Sequence, residues 1–330
     1  MKLDLYTEIS DFFRQNQGKI VELEILPKWH LPPLCIDGQS LGITKNGLIQ
    51  AFTVARQLFF DNASKMISYN ELTDKNVAAA LDATLVVLFF APEHTTAINF
   101  RKRRLLFYEQ EALREPGTDS EEVGRYMAAI HNELALLQSF TSSYLVKHPK
   151  SPTLWDHRRW IFSRQSYLHQ IEPSRSWEVE KGVVLRAAEQ HQHNYYAFNY
   201  LRTIFGIFSR ELSVYIPNDM DSLRRWCLAN PRDASGWSFF VFLFENCETV
   251  DLQLESTPNH IMEVAEFADS LQWSSPNLWS FLRRACTILA LECPESSPIK
   301  TRLRNLIEAN EQGMQPFKLK VHEFLLGIGN

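Results

Sequence analysis

An all-α protein, built as an α-α solenoid (a superhelix of antiparallel helix pairs), is what this sequence predicts on three observations. Glycine is scarce, 12 of 330 residues, about half the usual share of ~7%. Folds that depend on glycine turns, such as Rossmann sheets, β-propellers and β-sandwiches, are therefore disfavoured. None of the patterns G-x-G-x-x-G, G-x-x-x-x-G-K-[ST] or G-x-S-x-G occurs, so no dinucleotide, phosphate-loop or hydrolase signature is present. Finally, a short segment centred on a large apolar residue returns about every forty residues, the period of a helical-pair array.

Taken in chain order, residues 1–17 read as a short helix. The stretch Leu26-Pro27-Lys28-Trp29-His30-Leu31-Pro32-Pro33 cannot be helical and is expected to lie extended against the solenoid. Helices are expected near 45–62 and 70–90. The clearest repeat follows: Pro149-Lys150-Ser151-Pro152-Thr153-Leu154-Trp155-Asp156-His157-Arg158-Arg159-Trp160. Its outline returns around Phe198, Trp237 and Trp279, with a weaker copy around Ile98. Successive anchors are 57, 43, 39 and 42 residues apart, and the polar loop Glu115-Pro116-Gly117-Thr118-Asp119-Ser120 accounts for the long first interval.

The columns of the repeat make physical sense. Four residues before each anchor stand His94, Ser151, Asn194, Asp233 and Ser275, and four of these five are good helix N-caps. Pro152 and Pro276 then fall on the first helical position, where a missing N–H costs nothing. Each anchor thus sits one turn into a helix, facing inward, and a second bulky column follows two residues later: Phe100, His157, Tyr200, Phe239 and Phe281. The partner helix of each pair comes from an amphipathic stretch ahead of it, best seen in Val123, Met127, Ile130, Leu134 and Leu137. Glu178–Gln190, Met220–Ala229 and Pro258–Leu271 play the same part later. The expected organisation is one domain over 1–330: an N-terminal cap region (1–84), five repeats (85–290) and a C-terminal cap (291–330) with helices near 298–312 and 316–326.

Charge and cysteine usage bound the function. The formal net charge is −5, which argues against a nucleic-acid-wrapping protein. The run Arg101-Lys102-Arg103-Arg104 reads as a solvated or partner-facing helix. Five scattered cysteines with no C-x-x-C pair offer neither a disulfide framework nor a structural zinc site, and His191 with His193 lacks the further ligands a metal needs. No metal or cofactor is expected in this chain. No apolar run approaches the ~20 residues of a membrane span, and the expected location is cytoplasmic. Arg158 and Arg159 read as bridges between turns, His157 as a packed side chain, and the anchors Ile98, Trp155, Phe198, Trp237 and Trp279 as core.

The repeat resembles the protein prenyltransferase α-subunit repeat, Pro-x-Asn-Tyr-x-x-Trp-x-x-Arg, over well over half the chain. The form at Pro149–Trp160 resembles one branch, the α-subunit-repeat-containing proteins. That resemblance implies pairing with the β subunit of Rab geranylgeranyltransferase as a type III enzyme. It further implies a heterodimeric prenyltransferase, active only with its β subunit, that transfers a geranylgeranyl group from an isoprenoid diphosphate to a cysteine of a protein substrate. Zinc and the lipid pocket are expected on the β subunit. By position the resemblance assigns Lys150 as the catalytic residue and Lys150 with Tyr195 as the diphosphate rim. An ammonium at a helix N-terminus suits a departing diphosphate, because lysine and free N–H groups both favour anions. Two other readings of these residues stay open: Lys150 as a solvated loop lysine, and Tyr195 as a buried helix-start aromatic. The sequence departs from the family where Pro152 replaces a tyrosine, and where Leu201, Phe240 and Leu282 replace the repeat arginine kept at Arg101 and Arg158. Apolar contact is expected to replace ion pairs there. The alternative function is a non-catalytic helical-repeat adaptor that holds a prenyltransferase β subunit or another protein.

Overall fold

The computed structural model describes residues 2–65, 75–114, 120–212, 216–246, 257–271 and 277–285, apart from 279 and 283. The chain is mostly helical with paired helices, as expected. It divides into two compact units, residues 1–172 with 179–200, and residues 173–178 with 201–330. The anchor Trp279, the capping residue Ser275 and the expected cap over 291–330 lie outside the described residues.

The first unit opens with α1 (Lys2–Gln15), followed by three strands: β1 (Glu22–Leu26), β2 (Leu34–Asp37) and β3 (Ser40–Thr44). They form a sheet of order β1-β3-β2. β1 runs parallel to β3, pairing Glu22 with Ser40 through to Leu26 with Thr44. β2 runs antiparallel to β3 across the turn Gly38-Gln39, where Gly38 holds φ +57, a conformation glycine adopts without penalty. This sheet is the departure from the all-α expectation. Leu41 and Ile43 alternate into the core along β3, with Leu23 beside them on β1. The expected docking of residues 26–33 is also corrected. That loop projects, with Trp29 and Leu31 at 80% and 85% exposure, and backbone bonds from His30 N to Pro27 O and from Thr44 N to Pro33 O hold its shape.

Helices α2 (Lys45–Lys65), α3 (Lys75–Phe90), α4 (Thr95–Arg114) and α5 (Glu121–Thr141) follow, with α2 on α3 and α4 on α5. A single 3-10 turn (His148–Lys150) leads into α6 (Pro152–Phe162) and the short α7 (Gln165–Leu168). Two longer helices, α8 (Pro173–Gln190) and α9 (Tyr195–Leu212), run through both units. The second unit adds α10 (Ile216–Ala229), α11 (Ala234–Asn246) and α12 (Thr257–Ser270), with α10 packed on α11 and α12.

The capping column behaves as a column. Ser151 Oγ accepts from Leu154 N at 3.1 Å, Asn194 Oδ1 from Ala197 N at 3.2 Å, and Asp233 Oδ1 from Gly236 N at 3.0 Å. His94, which lacks a capping oxygen, does the same through Nδ1, accepting from Ala97 N at 3.2 Å. That ring nitrogen must be bare, and burial holds the His94 pKa down. Anchors Ile98, Trp155, Phe198 and Trp237 are all buried. The indole N–H of Trp155 donates to Pro149 O at 2.8 Å and that of Trp237 to Pro231 O at 3.0 Å, the same device six residues back.

Two buried carboxylates join successive pairs in the first unit. Glu133 of α5 accepts from Arg101 Nε at 2.8 Å and from the buried His157 Nε2 at 2.8 Å. Glu180 of α8 accepts from Arg158 Nε at 2.6 Å and from Tyr200 Oη at 2.5 Å. Each takes the arginine three residues past one anchor and the polar residue two past the next. Arg158 also donates to Leu134 O at 2.9 Å, so it both bridges and caps, as expected. Where the arginine is lost, Leu201, Phe240 and Leu282 are buried, and Phe240 stacks on Phe281 with centroids 4.8 Å apart. The basic run on α4 is corrected: Arg101 turns onto Glu133 and Arg104 is buried, so two of its four cations face inward.

Candidate functional site

Lys150 ends the 3-10 turn just ahead of α6, and Tyr195 opens α9. The turn exists because Pro149 and Pro152 bracket a segment whose amides at Lys150 and Ser151 bond back to Lys147 O and His148 O. Ser151 then caps α6. The other loop reverses at His193, which holds φ 61, and delivers Asn194 as the cap of α9. Lys150 Nζ donates to Gln192 O at 2.9 Å, so the structure brings Lys150 to the loop that carries Tyr195. Among the described residues no carboxylate lies within ion-pairing distance of this ammonium. Tyr195 is 61% exposed, which sets aside its reading as a buried aromatic; its ring meets Tyr196 edge-on.

Beside these residues runs a groove of about 480 Å3, bounded by α4, α6 and α9. Pro152, two residues past Lys150, and Tyr196, one past Tyr195, line it. So do the anchors Ile98 and Trp155, while Phe198 is enclosed. Beside Thr95 and Thr153, the polar lining falls in two columns that the sequence reading did not recognise as such, and Arg159, expected to bridge turns, pairs with Asp156 of its own helix. One residue past the anchors stand Asn99, Asp156 and Asn199; four past stand Lys102 and Arg159. Asp156 meets Lys102 Nζ at 3.5 Å and is ion-paired with Arg159. Burial alone would raise its pKa, and the Arg159 hydrogen bond with the Lys102 charge outweighs that and lowers it. The signal was available: positions one and four past an anchor are three residues apart, so they neighbour each other on one flank of the helix.

The second unit has a groove of its own, about 520 Å3, drawn from the same repeat offsets. Trp237, Ser238 and Val241 take the anchor, one-past and four-past places, and Arg202 lines it from α9. Arg202 lies over the Phe239 and Phe242 rings, 5.6 Å from each centroid. Among the described residues no group of three or more His, Cys, Asp or Glu side chains is placed to hold a metal ion. Nor is any helix among them long and apolar enough to cross a membrane.

Helix pairs with a capped, anchored second helix define a class of α-α repeat protein. Residues 138–165, from the end of α5 through the Lys150 turn and α6, match the protein prenyltransferase alpha subunit repeat. Residues 154–270 match the family described as the ECM9 middle domain. Among curated proteins, the chain is 25% identical over 253 residues to protein prenyltransferase alpha subunit repeat-containing protein 1 of Danio rerio, covering 70% of this chain and 52% of that one. It is 22% identical over 261 residues to the Homo sapiens protein of the same name, 72% of this chain and 57% of that one. Geranylgeranyl transferase type-2 subunit alpha of Candida albicans is 25% identical over 149 residues, 42% of this chain and 36% of that one. The chain is thus a distant homologue of the protein prenyltransferase alpha subunit repeat-containing protein 1 family, and it spans about half the length of the relatives of that name.

Proposed function

We propose that this chain is the α subunit of a heterodimeric protein prenyltransferase and transfers a geranylgeranyl group to a protein cysteine only together with a β subunit, that of Rab geranylgeranyltransferase being the expected partner. The single observation behind the reading is Lys150: an exposed ammonium at the start of α6, tied to a neutral carbonyl and to no carboxylate among the described residues. In the transfer, a sulfur–carbon bond forms at C1 of the isoprenoid while the C1–oxygen bond breaks, and the diphosphate leaves with the electron pair. Negative charge grows on the leaving group. A lysine beside the positive end of a helix dipole stabilises that charge more than the ground state, which is what lowers a barrier. Tyr195 would add one hydrogen bond from its phenol. Zinc on the partner would hold the substrate cysteine as its thiolate; among the described residues of this chain no group of three or more His, Cys, Asp or Glu is placed to bind it.

The test is prenyl transfer by the reconstituted heterodimer. Lys150→Ala is expected to lower kcat/KM at least tenfold, about 1.4 kcal/mol of barrier, with heterodimer formation intact. Unchanged transfer would remove Lys150 from the mechanism. One feature favours a second reading, a non-catalytic adaptor: Pro152 stands where the family repeat carries a tyrosine, so part of the rim is missing. An unaltered complex with no transfer by the unsubstituted protein would decide for the adaptor.

A further inference from the structure

We infer that Asn194 is a positioning residue, which ties the Lys150 turn to the start of α9 and so fixes where the Lys150 ammonium stands. The inference deepens the reading of Lys150 above and rests on it only for the catalytic consequence. Asn194 is fully buried and both halves of its amide are committed. Its Oδ1 caps α9 by accepting from Ala197 N at 3.2 Å, and its Nδ2 donates to Pro149 O at 2.6 Å. Pro149 O also accepts the Trp155 indole N–H at 2.8 Å, so both its lone pairs are occupied. Flipping the amide would set N–H against N–H and oxygen against oxygen, so its orientation is fixed. The return link runs the other way, from Lys150 Nζ to Gln192 O. His193, held at φ 61 immediately before Asn194, turns the chain so that the amide faces inward.

The residue type matters. The equivalent caps Ser151 and Asp233 satisfy their own helices, yet an ionised aspartate has no proton to donate to a carbonyl. Asn194→Asp therefore separates the two jobs, keeping the cap and deleting the clamp. Amide hydrogen exchange on the full chain reads this directly. In Asn194→Asp the Lys150 and Ser151 amides, which bond within the turn, should exchange at least tenfold faster, while the Ala197 amide keeps its protection. Unchanged exchange over 147–152 overturns the inference. Asn194→Ser, an uncharged cap without the amide N–H group, covers the case in which the aspartate variant fails to fold, with the same expected and overturning results. In the reconstituted heterodimer, Asn194→Asp should lower kcat/KM, and Lys150→Ala combined with it should lose no more than Lys150→Ala alone; additive losses would overturn the inference. If Lys150→Ala is silent while Asn194→Asp opens the turn, the clamp stands and the catalytic reading of Lys150 falls.

Discussion

Glu133 is where single side chains bear most on stability. Burial alone would push its carboxyl up, but the Arg101 charge and the His157 and Arg101 hydrogen bonds outweigh burial and hold it well below the usual carboxylate range. Removing that charge strands a nearly buried guanidinium, so Glu133→Gln should cost about 3–5 kcal/mol, read from the denaturant midpoint; a cost under about 1 kcal/mol would contradict the pairing. His148 gives a pH dependence. Burial lowers its pKa from 6.5 to about 4, with Nε2 donating to Leu88 O at 2.9 Å. The unfolded chain binds a proton that the folded chain refuses, so stability is full above pH 6.5 and falls as pH drops towards 4. The loss should reach about 3 kcal/mol. His148→Gln should flatten the stability profile across that window, and an equally steep profile would refute the assignment.

Among the elements, the capped helix start was the most legible feature, because a cap, an anchor and their spacing are local. Even the exception proved local: His94, the one poor N-cap residue of the five, caps with a ring nitrogen. The start of α11 shows what spacing does not reveal. Gly236 follows the cap closely, and a Cβ there would lie 2.3 Å from Cζ3 of Trp226 on α10. Gly236→Ala should therefore destabilise by about 1–3 kcal/mol in thermal melts, through overcrowding. A neutral melt would mean that Trp226 moves aside freely. The sheet went unforeseen because its strands are only four or five residues long. Its best clue was Asp37-Gly38 ahead of the alternating Leu41 and Ile43, a short hairpin signal.

At the scale of the whole molecule, the net charge of −5 hides a local pattern. Lys102 and Arg159 stand on the groove of the first unit, with only Asp156 between them. If that groove receives the partner subunit, reversing both charges should weaken the complex at least tenfold in a titration while leaving the helical circular dichroism unchanged. Equal affinity would place the partner elsewhere. Both grooves draw on the same offsets from their anchors, so the repeat organises the surface as well as the core.

From sequence alone came the helical class, the repeat and its register, and, among the described residues, the caps and the buried anchors, since each follows from the identity of residues within one or two turns. The placing of Lys150 at the start of α6 and of Tyr195 at the start of α9 also follows from that register. Tertiary structure alone decided which carboxylate each buried arginine meets. The separations from Arg101 to Glu133 and from Arg158 to Glu180 are set by how helices lie across one another, not by a period. It alone decided that two of four cations on α4 turn inward, that Tyr195 is exposed, and that Asn194 reaches back 45 residues to Pro149 O. Hydrogen bonds between distant segments depend on distance and direction after packing, and no local pattern encodes those.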